Sequence, residues 1–139
     1  MNSYVIEDLK PGMEASYERT VTEADIIAFA GVSGDINPMH LDEAYAATTD
    51  FKGRIAHGML TASFISTVIG TRLPGPGAIY LSQSLRFMAP VRIGDVVKAL
   101  VRVIHLDPRR RRARLACFCH VGQTVVLEGE ANVKVPSRG

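Results

Sequence analysis

Ile55-Ala56-His57-Gly58-Met59-Leu60-Thr61-Ala62-Ser63-Phe64-Ile65-Ser66-Thr67-Val68-Ile69-Gly70-Thr71-Arg72-Leu73 decides the fold. Met59, Leu60, Ala62, Phe64, Ile65, Val68, Ile69 and Leu73 recur at helical spacing and cover more than one face. A helix apolar nearly all round has to be wrapped by other structure. With about 15 residues and several Ser and Thr, it is too short for a membrane span of about 20. The wrapping lies downstream. After the turn-rich Leu73-Pro74-Gly75-Pro76-Gly77 break the period becomes two, with a first strand within residues 78–89 and a turn marked by Pro90 and Gly94. Val97, Ala99, Val101 and Val103 alternate with Lys98, Leu100 and Arg102. Leu115, Cys117, Cys119 and Val121 alternate with Arg114, Phe118 and His120. Val125, Leu127, Gly129, Ala131 and Val133 alternate with Val126, Glu128, Glu130, Asn132 and Lys134. Asp107-Pro108 and Gly122-Gln123 supply the turns, so the spacing predicts an antiparallel meander with one apolar face laid on the helix.

Upstream, residues 13–20 alternate and read as an edge strand. Thr22 with Asp25 begins a capped helix carrying Ile26, Ile27, Phe29 and Ala30, which Gly31 and Gly34 end. Asp42 caps a short helix through Ala47, and residues 48–53 read as a loop. The 139 residues make one α+β domain spanning 1–139, with no repeat, linker or low-complexity tail.

A net charge of +2 and 6% aromatic residues speak against a nucleic-acid partner. Glu7, Asp8 and Lys10 interrupt the N-terminal residues, where no apolar run occurs, so neither a signal peptide nor a membrane span is expected and the cytoplasm is the default. Cys117 and Cys119 share one strand face with parallel side chains, which suits buried thiols rather than a disulfide, and two cysteines are too few for a structural zinc site.

The chemistry gathers in Gly34-Asp35-Ile36-Asn37-Pro38-Met39-His40. Pro38 disfavours helix at Asn37, so Asp35 and Asn37 lie in a tight loop that can aim Asp35 and His40 into one small volume. A carboxylate and an imidazole bracket the working pH range and can share a water and move its protons.

Asp35-Ile36-Asn37-Pro38-Met39-His40, followed by His57-Gly58-Met59, resembles the hydratase-2 signature of the MaoC-like enoyl-thioester hydratases, which include the (R)-specific enoyl-CoA hydratases. The likeness covers nearly the whole chain. It implies a hot-dog fold, in which a curved antiparallel sheet wraps a long central helix. It also implies a hydro-lyase that hydrates trans-2-enoyl-CoA to (R)-3-hydroxyacyl-CoA, with Asp35 and His40 as the catalytic pair and the Gly58 N–H as oxyanion donor. The first N–H groups of a helix lack internal partners, and a glycine there admits close approach to the backbone. His57 either helps bind substrate or is satisfied at the helix start. The family places a serine near the catalytic Asp, so Ser66 is expected to orient Asp35, unless it bonds back to its own helix. Asn37 is expected to fix the loop.

Ile65, Ile69 and Val133 are candidates for the acyl pocket. Arg109 to Arg112 and Arg114 form either a solvated hairpin tip or a contact for coenzyme A phosphates. No metal or cofactor is expected, since coenzyme A is part of the substrate. Side-by-side pairing of hot-dog sheets implies a homodimer with the site near the interface. The rival functions are a 3-hydroxyacyl-thioester dehydratase acting on carrier-protein substrates, an acyl-CoA thioesterase and a non-catalytic acyl-thioester binder.

Overall fold

The computed structural model describes residues 1–139. Strand β1 (Glu14–Thr20) leads into helix α1 (Glu23–Ser33). Thr22 and Asp25 form a reciprocal capping box there, each side chain accepting the other's backbone N–H. Gly31 lies inside this helix. Gly34, at φ 77°, ends it in the left-handed conformation that favours glycine. Two single-turn helices follow, α2 (Pro38–Leu41) and α3 (Glu43–Ala46), capped by Asn37 and Asp42. His40 therefore sits on a turn of helix and not in open loop: Pro38 occupies the first helical position, where its missing N–H costs nothing.

Helix α4 (Gly58–Thr71) is the long helix expected from the apolar run. It packs on an antiparallel sheet of β1, β2 (Ile79–Gln83), β3 (Arg86–Phe87), β4 (Val96–Asp107), β5 (Arg112–Val121) and β6 (Thr124–Lys134). The order is β1-β4-β5-β6-β2, with β3 also pairing to β6, so the meander fills the centre and β1 and β2 are the edges. Phe64, Ile65, Val68 and Ile69 of α4 meet Val97, Ala99, Val101, Val103, Leu115, Leu127, Ala131 and Val133 in one core. Each large aliphatic side chain so buried contributes about 1.5–3 kcal/mol of transfer free energy. Cys117 and Cys119 are free thiols in this core, and burial raises both, to about 11 and about 12.

Two details depart from the sequence pattern. The alternation of β6 breaks at Val126, where Cys119 pairs with Leu127 and His120 with Val125. This bulge turns both Val126 and Leu127 inward, which strict alternation does not allow. Helix α4 is also not wrapped on every side: Met59, Ser63, Ser66 and Gly70 form an exposed stripe. No helix is long and apolar enough to cross a membrane.

Candidate active site

The turn between α1 and α2 is a chain of local hydrogen bonds. Ser33 Oγ accepts the Asp35 N–H (3.1 Å), Asp35 Oδ1 accepts the Asn37 N–H (3.2 Å), and Asn37 Oδ1 accepts the Met39 N–H (3.1 Å). Asn37 thus shapes the turn and caps α2, the role expected of it. Asp35 stays exposed, whereas His40 is 7% exposed.

The His40 ring is held from two sides. Its Nδ1–H donates to the Ile55 carbonyl (2.8 Å), which leaves the lone pair of the neutral ring at Nε2. Its face stacks on His57, with centroids 3.9 Å apart and planes 27° apart. His57 in turn donates Nε2–H to the Asp35 carbonyl oxygen (2.9 Å) and packs against Phe29. Arg54, which sequence reasoning missed, braces the same region: its Nε–H donates to the His40 carbonyl (2.8 Å) while Nη1 reaches Glu23 (2.8 Å). Ring nitrogens of His40 and His57 and a carboxylate oxygen of Asp35 lie within 4.8 Å of one another. With Nδ1–H of His40 given to the Ile55 carbonyl and Nε2–H of His57 given to the Asp35 carbonyl, one lone pair is left on each ring.

Burial holds the His40 imidazole below its ordinary value of 6.5; the Ile55 hydrogen bond opposes this, His57 adds to it and Asp35 opposes it. The unfolded chain therefore takes up a proton at His40 at a pH where the folded chain still refuses it. The stability held by the neutral ring is present above about pH 6.5 and is lost as pH falls through the depressed value. Thermal melts from neutral pH down to about pH 5 should show the loss, and it should be smaller in His40→Gln.

Gly58 is the first residue of α4, and its N–H has no acceptor in the helix or in the loops. A Cβ at Gly58 would lie 2.5 Å from Cε1 of Phe87, so it is the Phe87 ring that requires glycine here. The two residues flank a cavity of about 510 Å³, also lined by Asp35, His40, His57 and Thr61. Met39, Phe51, Ala89, Val91, Val126 and Leu127 supply much of its apolar surface.

Asp35, His40, His57 and Gly58 are thus brought together, whereas four other candidates are not. Ser66 is exposed on α4 and makes no hydrogen bond to Asp35; it lies roughly 12 Å along the helix from Gly58, at about 1.5 Å per residue. Ile65, Ile69 and Val133, expected in the acyl pocket, are packed core at 0%, 2% and 0% exposure and do not line the cavity. The arginine run is also remote. Arg112 pairs with Lys134, roughly 23 Å along β6 from the cavity-lining Leu127 at about 3.3 Å per residue, so within one chain it does not reach the site.

A family model described as a MaoC like domain matches residues 7–117. The chain belongs to the MaoC-like family. It is similar to the 3-hydroxybutyryl-CoA dehydratase of Methylorubrum extorquens, at 57% identity over 95% of this chain and 84% of that protein. It is equally similar to the (R)-specific enoyl-CoA hydratase of Rhodospirillum rubrum, at 57% identity over 98% and 94%. Its fold matches the unliganded R-hydratase PhaJ1 of Pseudomonas aeruginosa with a TM-score of 0.90 and 47% identity, over 96% of this chain and 86% of that one. The helix set in a curved sheet is therefore the hot-dog fold of this MaoC-like chain.

Proposed function

We propose that the protein is an (R)-specific enoyl-CoA hydratase, which adds water reversibly to a trans-2-enoyl-CoA to give the (R)-3-hydroxyacyl-CoA. The observation that carries this is the meeting, at one apolar cavity, of the open Nε2 of a neutral His40, the Asp35 carboxylate and the unpartnered Gly58 N–H. The names of the 57% identical relatives support the substrate class and the hand of the product.

The thioester carbonyl accepts the Gly58 N–H, which draws electron density away from C3. Asp35 and His40 hold one water at C3. As its oxygen bonds to C3, His40 Nε2 takes a proton, and the same proton is delivered to C2 from the same side. The product gains OH at C3 and H at C2, and the pair returns to its starting state. Acid–base help supplies about 10²–10⁴ in rate and carbonyl stabilisation about 10²–10³. These steps call for no metal or redox group. A thioesterase needs its water at the carbonyl carbon instead. Enoyl absorbance lost without release of free thiol supports hydration, and thiol release at the same rate contradicts it.

We also propose that two copies pair side by side. Edge strand β2 exposes Ile79, Tyr80 and Leu81 (56%, 39% and 43%), and Met59, Phe87 and Met88 at the cavity rim are exposed by 56%, 55% and 51%. An open apolar edge is a template for pairing. Light scattering should give twice the chain mass of 15.1 kDa, and a monomer at micromolar concentration would contradict the pairing.

A further inference from the structure

The turn that carries Asp35 has little packing of its own. Gly34, Asp35, Ile36 and Asn37 are all exposed, Ile36 by 71%. Its hydrogen bonds are local, with one exception: the Asp35 carbonyl accepts His57 Nε2–H (2.9 Å) from 22 positions away in sequence. No other hydrogen bond of residues 34–37 leaves α1, α2 and the turn between them. Exposed segments held only by local bonds open easily. The bond from His57 is therefore what keeps the Asp35 turn against the rest of the site.

His57 is itself fixed. It is 2% exposed, packs on Phe29 with centroids 4.9 Å apart, and stacks on His40. Its carbonyl accepts the Leu60 and Thr61 N–H groups (3.0 and 3.3 Å), which ties it to the first turn of α4, and the next residue is Gly58. One residue thus joins the Asp35 turn, the His40 ring and the start of the helix that presents the Gly58 N–H. The place asks for a flat face and for an N–H at the far end of that face. Phenylalanine meets only the first demand and glutamine only the second. Histidine stands here although its Nδ1 is buried with no partner in the protein, a cost that an apolar ring would avoid.

We propose that His57 is a positioning residue: through the Asp35 carbonyl and the His40 ring it holds the acid–base pair at a fixed distance from the Gly58 N–H, and it exchanges no proton with the substrate. The inference rests on the enoyl-CoA reading of the site. A reacting group misplaced by about 1 Å costs about 10²-fold in rate.

The test compares two amides of different reach. In His57→Gln the amide nitrogen falls where Nε2 stands and can donate to the Asp35 carbonyl. In His57→Asn the shorter side chain ends near the Nδ1 position. Both lose the ring and its proton-carrying nitrogen. With both chains folded at the assay temperature, His57→Asn should lose about 10²-fold in kcat on crotonyl-CoA. His57→Gln should keep about tenfold more than His57→Asn, and both should bind butyryl-CoA, which does not turn over, within about threefold of wild type. Equal kcat in the two amides overturns the proposal, since proton transfer by His57 predicts that result. A loss of butyryl-CoA affinity as large as the loss of kcat overturns it too. Where an amide variant does not fold, nitrogen NMR of the wild-type imidazoles replaces it. At about pH 8, where an ordinary imidazole is neutral, His57 should carry its proton on Nε2 both free and with butyryl-CoA bound. A proton on Nδ1 in either state contradicts the tie to Asp35. A wild-type protein that leaves crotonyl-CoA unchanged strikes the enoyl-CoA reading itself, whereas an active wild type with equal amides strikes only the role of His57.

Discussion

Asp35→Asn and His40→Gln should each slow hydration of crotonyl-CoA by at least about 10²-fold. Asparagine keeps the side-chain oxygen that accepts the Asn37 N–H, so the turn survives while the carboxylate is lost. Glutamine removes the ring nitrogen that faces the water and gives up the stacking on His57. Steady-state rates on both variants, with cooperative thermal melts as the control, check the prediction. A wild-type rate in either would remove that residue from the chemistry.

The second large effect concerns one N–H group. Gly58→Pro deletes that donor at a place where the helix itself tolerates proline, its first position. His57 before it is already extended, at φ −60° and ψ 134°, which suits a residue preceding proline. The added ring would collide with Phe87, so the change is paired with Phe87→Ala and compared with Gly58→Ala/Phe87→Ala, which keeps the N–H. The proline pair should fall below the alanine pair by about 10²–10³ in kcat. Equal rates would show that the thioester oxygen is held elsewhere.

Much of this arrangement was legible in the residues because local signals and long-range packing agree. The apolar run ending at Leu73 demanded a wrapping sheet, and the period-two strands after Gly77 supplied it. The Thr22/Asp25 box and Gly34 fixed the helix that delivers Asp35. What stayed hidden depends on geometry that spacing does not encode. The bulge at Val126 turns two consecutive side chains inward. Ile65, Ile69 and Val133 look alike as core or as cavity wall, and only packing decides which they are. Ser66 faces away because its angle around α4 puts it on the exposed stripe with Met59 and Ser63. Thr61 could have been noticed as a polar residue one turn into an apolar helix, on the side of Gly58. Arg54 and Phe87 gave no such signal, since their partners are a backbone carbonyl and a glycine distant in sequence.

Asp35 and His40 line the cavity together, so the hydroxyl and the proton of water should reach one face of the alkene. Hydrating crotonyl-CoA in deuterated water and reading the product by NMR tests this most directly. The predicted product is (R)-3-hydroxybutyryl-CoA with a single deuterium at C2, on the same face as the new hydroxyl. Deuterium on the opposite face would contradict a shared Asp35–His40 site, and an (S) product would contradict the (R)-specific reading.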